Sequence, residues 1–328
     1  MGRFLNVGVI QMPVNQDTSV NLRYIEEKLA ALMSGVHKPE LVVGVECIAC
    51  FTPEYIPGPM TEYFGHLAKK YGIYFIPGTV CERDDALPEG KFYNAAPVFN
   101  PRGELVEVYR KMCPWRPAEE HIQPGKRYVV FDIPEKQTKV GVLICYDMNF
   151  PEIARAETLM GAEVLVKLTM DPQELYQLNR HIHYARALEN QAYLVSTNGV
   201  GFFGNNHLYG HSQVIDPQGQ LLWEADQVES IATVTLDLDL VYRCRRYGTM
   251  FLEHYLQHLR DFRLPPVPYV EDYSQAPVYR DLPAGPENVA AYERDVQEIG
   301  ACQLGRLVED EIDTEQLEKN LRAFLLKK

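Results

Sequence analysis

Short β-branched runs alternate with longer amphipathic stretches along most of this chain, and that alternation limits the fold more than any other feature. The runs predict strands at 4–11, 41–45, 74–79, 140–144, 163–168 and 192–197. The stretches between them predict helices at 19–33, 61–71, 151–160 and 173–190. In the first helix Leu22, Ile25, Leu29 and Leu32 share one face. Residues 93–99 and 105–109 flank Asn100-Pro101-Arg102-Gly103, a turn signal that makes them a hairpin. Asp216-Pro217-Gln218-Gly219 repeats the device between 213–215 and 220–222. βα units mixed with hairpins predict an α/β protein whose sheet has mixed strand directions and is covered by helices. No repeat of 20–50 residues is present.

A chain of 328 residues allows one large domain or two ordinary ones. With 46% hydrophobic and 23% charged residues it is not a disordered, collagenous or coiled-coil protein. Its net charge of −13 predicts no general attraction to nucleic acid or to an anionic membrane. No apolar run reaches the ~18 residues a membrane span needs. Residues 4–10 alternate from the start, so they read as a strand and not as a signal peptide. The seven cysteines, 47, 50, 81, 113, 145, 244 and 302, are odd in number and scattered. That pattern suits free thiols in a reducing, cytoplasmic setting.

The composition changes after Arg263. Residues 264–286 hold Pro265, Pro266, Pro268, Pro277, Pro283 and Pro286 and little apolar periodicity, which predicts an extended arm. Residues 307–326 then predict a helix with Leu307, Ile312, Leu317, Leu321 and Leu325. Such a tail either packs back on the core or wraps a neighbouring subunit. The expected division is a domain over 1–263 and an extension over 264–328.

The segment richest in chemistry is 140–152. An apolar strand ends at Cys145, and Tyr146-Asp147-Met148-Asn149-Phe150 leads into a helix that starts near Pro151. Asn149 suits the N-cap, Pro151 the first turn, and Glu152 the positive helix end. A thiol between a strand end and a helix N-terminus meets oriented N–H groups, which favour the thiolate and stabilise an oxyanion. Local context alone leaves two readings, a nucleophile or a small buried core residue. The pairs His181/His183 and His207/His211 have metal-like spacing, but neither completes a zinc signature. Cys47 and Cys50 form C-x-x-C with no second pair after it. Glu46 directly follows the apolar run 41–45, where an acid is costly without a partner. Lys111 follows the run 105–109. Together these residues offer a glutamate base, a lysine clamp and a cysteine nucleophile.

In these residues the chain resembles the nitrilase superfamily of carbon–nitrogen hydrolases, most closely its aliphatic amidase and formamidase branch. That family carries a glutamate, a lysine and a cysteine in this order at strand ends, matched by Glu46, Lys111 and Cys145. The likeness runs from about 4 to 259. It takes in Tyr93-Asn94-Ala95, the Asn-Pro-Arg-Gly hairpin, Tyr109-Arg110-Lys111, Cys145-Tyr146-Asp147 with Phe150-Pro151-Glu152, residues 185–191, and Gly210-His211-Ser212. Pro114-Trp115 after the lysine and Glu119 eight residues beyond it are similar to the amidases, where a second glutamate positions substrate. The sequence departs from the pattern at Val45, where a proline is usual, at Cys47, where an aromatic is usual, and at His121, where amidases tend to have a pocket aromatic.

The resemblance implies a four-layer αββα sandwich that dimerises and often assembles further, with the arm from Leu264 clamping a neighbour. It implies hydrolysis of a small carboxamide to acid and ammonia through a cysteine thioester. Glu46 would be the base, Lys111 and the Tyr146 N–H would hold the oxyanion, and Glu119 would hold the substrate. Trp115, Cys47 and His121 would line the pocket. No metal or organic cofactor is expected, and the expected partners are a small amide and further copies of the chain. Rival readings are a hydrolase of N-carbamoyl amines, ω-amides or nitriles, a non-catalytic interaction module, and a zinc or redox protein.

Overall fold

After its first residues the first strand is buried throughout, as a strand covered on both faces is. The computed structural model describes residues 2–248, 251–252, 254–280, 285–286, 288–294 and 297. The tail helix expected at 307–326 and Cys302 lie outside the described residues. In chain order the elements are β1 (Phe4–Gln11), α1 (Thr18–Ser34), β2 (Leu41–Glu54), α2 (Pro59–Tyr71), β3 (Tyr74–Glu82), β4 (Tyr93–Phe99) and β5 (Leu105–Arg110). Next come β6 (Val130–Ile133), β7 (Thr138–Ile144), α3 (Pro151–Leu159), β8 (Val164–Leu168), α4 (Tyr176–Asn190) and β9 (Tyr193–Thr197). The series ends with β10 (Val200–Phe203), β11 (Asn206–Tyr209), β12 (Gln213–Ile215), β13 (Leu221–Glu224), β14 (Ser230–Asp237), α5 (Leu238–Tyr247) and α6 (Tyr255–Phe262).

Two six-stranded sheets form, ordered β14-β1-β2-β3-β4-β5 and β13-β12-β9-β8-β7-β6. Each has three central parallel strands, β1–β3 or β7–β9, flanked by antiparallel neighbours. Leu5, Val7, Val9, Leu41 and Val43 of the first sheet share one core with Val140, Val142, Ile144, Val164 and Val166 of the second. Ile25 and Leu29 of α1 and Phe64 and Leu67 of α2 cover the first sheet's other face. Ile153 and Ala154 of α3 and Ala187 of α4 cover the second. The layers are therefore helix, sheet, sheet, helix, as the resemblance implied.

Contacts divide the chain into two units, one of 1–114 with 121–270 and one of 115–120 with 271–328. The first contains all the strands and helices named above. Within the second, the described residues make 3₁₀ turns at Tyr273–Gln275 and Pro277–Tyr279.

Some local expectations are corrected. Strand β2 does not stop at Val45 but continues to Glu54, with breaks in its register against β3. Residues 173–175 form a 3₁₀ turn ahead of α4 instead of its first turn. Asn149 is not the N-cap of α3. Residues 145–149 form a 3₁₀ turn and Phe150 precedes the helix without a side-chain cap.

Candidate active site

Glu46 owes its place to a bulge. Val45 pairs with Gly78 and Ala49 pairs with Val80, so three residues of β2 lie opposite Thr79 alone. A Cβ on Gly44 would stand 1.9 Å from the Pro77 carbonyl oxygen, so glycine is what lets β2 and β3 approach just before the bulge. Cys47 takes a left-handed φ of 62° there, and its N–H donates to Thr79 Oγ1 at 2.8 Å. The bulge turns Glu46 into the protein, where it is 2% exposed.

The carboxylate meets donors from three segments. Lys111 Nζ and Asn94 Nδ2 reach Glu46 Oε1 at 3.0 and 2.8 Å, and the Met170 N–H reaches Oε2 at 3.1 Å. Lys111 is fully buried. Two buried charges are tolerable only when paired and hydrogen-bonded, as these are.

Cys145 follows the last residue of β7 with a φ of 51°, a sharp turn for a side chain-bearing residue. Asp147 fixes that turn. Its Oδ1 accepts the N–H groups of Met112 at 3.1 Å and Cys113 at 2.7 Å, and its Oδ2 accepts Tyr109 Oη at 2.7 Å and the Ile144 N–H at 3.0 Å. It thus ties the segment after Lys111 to the turn that carries Cys145. Burial pushes its carboxyl up to about 6 despite those bonds and the nearby Lys111. Tyr146, beside the thiol, meets Phe150 edge-on with ring centres 5.2 Å apart.

A second buried ion pair lies at the thiol. Cys145 Sγ is 3.2 Å from Asp171 Oδ1, and Asp171 Oδ2 is 2.7 Å from Lys167 Nζ. Asn179 and Tyr209 also donate to Oδ2, at 2.7 and 3.3 Å. Lys167 Nζ is 3.2 Å from His183 Nε2, and His183 Nδ1 is 3.0 Å from Gln213 Oε1. Burial, then the Lys167 charge, pushes His183 down to about 3, so its ring is neutral and accepts from the lysine. Burial by itself would raise the Asp171 carboxyl, but Lys167 outweighs it and holds the group at about 2.

Burial disfavours the thiolate at three other cysteines. Burial pushes Cys113 up to about 12 and Cys244 to about 11, and it also drives Cys50 well up. Among the described residues no group of three or more His, Cys, Asp or Glu is arranged to hold a metal ion. His183 is buried on Lys167, whereas His211 stacks on Tyr176 and His207 lies tilted against Phe202. His121 is exposed and lies against the Phe92 ring at 5.0 Å. Trp115 and Glu119 belong to the second unit, where Glu119 Oε2 accepts the Trp115 N–H at 2.5 Å.

The fold thus brings Glu46, in the bulge of β2, Lys111, just after the edge strand β5, and Cys145, just after β7, together in one unit. Sequence reasoning missed Asp171 and Lys167, and weighed His183 only as half of a metal-like pair. The signal was there in Lys167, a cation inside the apolar run 164–168.

Residues 6–246 match the carbon–nitrogen hydrolase family, and the chain belongs to it. The ω-amidase NIT2-B of Xenopus laevis is 36% identical over 210 residues, covering 58% of this chain and 72% of that protein. The human ω-amidase NIT2 is 32% identical over 221 residues, covering 62% and 76%. Among solved structures, Nit3 of Saccharomyces cerevisiae, a member of branch 10 of the nitrilase superfamily, superposes with a TM-score of 0.67 at 27% identity. That match covers 74% of this chain and 94% of Nit3. No helix among the described residues is long and apolar enough to cross a membrane.

Proposed function

We propose that this chain hydrolyses a primary carboxamide to a carboxylic acid and ammonia through a thioester on Cys145. The observation that carries the reading is the Glu46–Lys111 pair, anchored on the Met170 N–H one residue before the carboxylate that touches Sγ. Sulfur bonds to the carbonyl carbon as Glu46 takes the thiol proton, and the carbonyl π pair moves onto oxygen. Lys111 and the Tyr146 N–H hold that oxyanion. Collapse expels ammonia with the proton from Glu46. Water, deprotonated by Glu46, then attacks the thioester and releases the acid and the thiol. Glu119 takes the substrate-positioning role given by the resemblance, which Glu119→Gln tests through a raised KM.

A second reading narrows the substrate to an ω-amide, the terminal carboxamide of a dicarboxylic acid. It is favoured by the relatives named as ω-amidases. Ammonia release from formamide, acetamide, propionamide, an ω-amide, a carbamoyl amine and a short nitrile separates the possibilities. Turnover of amides by wild type, lost about 10⁴-fold or more in Cys145→Ala, is expected. A folded Cys145→Ala protein with wild-type turnover would falsify the mechanism.

The same reading makes the protein a cytoplasmic homo-oligomer, dimer or higher, in which the arm from Leu264 grips a neighbouring copy. Phe262, Leu264 and Val267 are each more than 60% exposed in the single chain, which supports it. Truncation after Arg263 should reduce the oligomer's size, and an unchanged size removes the arm's role.

A further inference from the structure

We infer that Asp171 is a positioning residue that keeps the resting Cys145 a protonated thiol, aimed by an Sγ–H···Oδ1 hydrogen bond, until Glu46 takes the proton. The inference rests on the reading of Cys145 as the nucleophile. Its observation is the 3.2 Å contact between Cys145 Sγ and a carboxylate that is 2% exposed.

Two carboxylates therefore serve one thiol from opposite sheets, and their surroundings separate their roles. Asp171 Oδ2 is occupied by Lys167, Asn179 and Tyr209, so Oδ1 is the oxygen turned to sulfur. The Asp171 N–H is itself fixed, donating to Asn198 Oδ1 at 2.8 Å. With its carboxyl held at about 2, Asp171 remains an anion at neutral pH and makes a very weak base. It can accept a hydrogen bond but not keep the proton. An anion at this distance opposes ionisation of the thiol, so Asp171 restrains the nucleophile instead of activating it.

Lys167 is what makes this possible. Without a cation the buried carboxylate would take up a proton and could turn a donor toward sulfur. Neutral His183 adds no second positive charge, and it accepts from Lys167 while its Nδ1–H donates to Gln213. The titratable groups around this contact are Lys167 in β8, Asp171 just after it, His183 on α4 and Tyr209 on β11, with Asp147 in the turn itself. Glu46 and Lys111 reach the same segment through the Met170 N–H. Burial and the nearby Asp171 drive Tyr209 well above its ordinary range, so it stays neutral.

The test uses the full chain and needs no turnover, so an amide panel that fails bears on the proposed function alone. In the double variant Asp171→Asn, Lys167→Met the buried pair becomes neutral without leaving one charge alone. Its Cys145 should react with iodoacetamide about tenfold faster than wild type at pH 7, with the pH–rate profile moved to lower pH. Cys145→Ala supplies the background from other thiols. A folded double variant whose profile superimposes on wild type overturns the inference. The S–H stretching band in the infrared tests wild type directly, by difference from Cys145→Ala. A band shifted below the free-thiol frequency supports the contact. A band at that frequency, or none because the resting sulfur is ionised, overturns it.

Discussion

The two sheets each bring a buried lysine–carboxylate pair toward Cys145, and the pairs are built differently. Glu46 and Lys111 stand 65 residues apart, one in the bulge of β2 and the other just after β5, which β3 and β4 separate from β2 in the sheet. Lys167 and Asp171 stand four apart, at the end of one strand and just beyond it. The first carboxylate is held by a lysine, an amide side chain and one N–H. The second is bonded by Lys167, Asn179 and Tyr209 on a single oxygen and is ionised across the whole physiological range. The difference teaches that similar ion pairs can take opposite parts in the chemistry. In the proposed mechanism one receives a proton, while the other stays a fixed charge.

Removing a lysine from each pair should break the comparison most sharply. Lys167→Met leaves the buried Asp171 carboxyl without its cation, and unfolding by denaturant should show a loss of about 3–5 kcal/mol. In the proposed mechanism Lys111→Met removes an oxyanion donor, so kcat on the accepted amide should fall about 10²–10³-fold. If Lys111→Met costs stability only and kcat survives, the first pair is structural as well.

Acid should then separate the carboxylates by pH. Asp171 has a depressed folded-state pKa, so its stabilisation is complete above the ordinary value near 3.8 and is lost as pH falls through about 2. That amounts to about 2 kcal/mol. Asp147 works in the opposite direction. Its raised value of about 6 means the fold favours its protonated form, so its contribution declines as pH rises from about 4 to 6. Stability measured against pH for Asp171→Asn should lack the loss between about 4 and 2 and retain the Asp147 trend. An unchanged acid limb would show that Lys167 does not control Asp171.

Thr79→Val offers the smallest effect and sharpens the contrast. It removes the acceptor of the Cys47 N–H beneath the Glu46 bulge, at a cost of about 1 kcal/mol. Turnover should drop a few-fold while the pH–rate profile of Cys145 alkylation stays in place. A moved alkylation profile would mean that the two carboxylate sites are coupled through the bulge.

Much of the frame was legible because its signals are local. The apolar runs at 4–11 and 93–99 match β1 and β4, and the i, i+4, i+7 spacing of Ile25, Leu29 and Leu32 marks the buried face of α1. Four-residue strands such as β6, β10 and β11 were not legible, since so short a run shows no reliable period. Asn149 misled because its polar side chain suits a cap, while the Asp147 bonds draw 145–149 into a 3₁₀ turn.

By itself the sequence determined the βα alternation, the turn after each hairpin strand, and the chain order of Glu46, Lys111 and Cys145 beside apolar runs, with Lys111 and Cys145 at strand ends. These follow from period, turn chemistry and the cost of a charge next to an apolar run. Only the tertiary structure decided which charges meet. A strand-end acid reads the same whether it faces water or a buried lysine, and Asp171 became a partner of Cys145 only when β7 and β8 paired side by side. His183, on a helix 16 residues beyond Lys167, became its acceptor when α4 packed over the second sheet. Electrostatics at such sites depends on distance and burial, and neither is written along the chain.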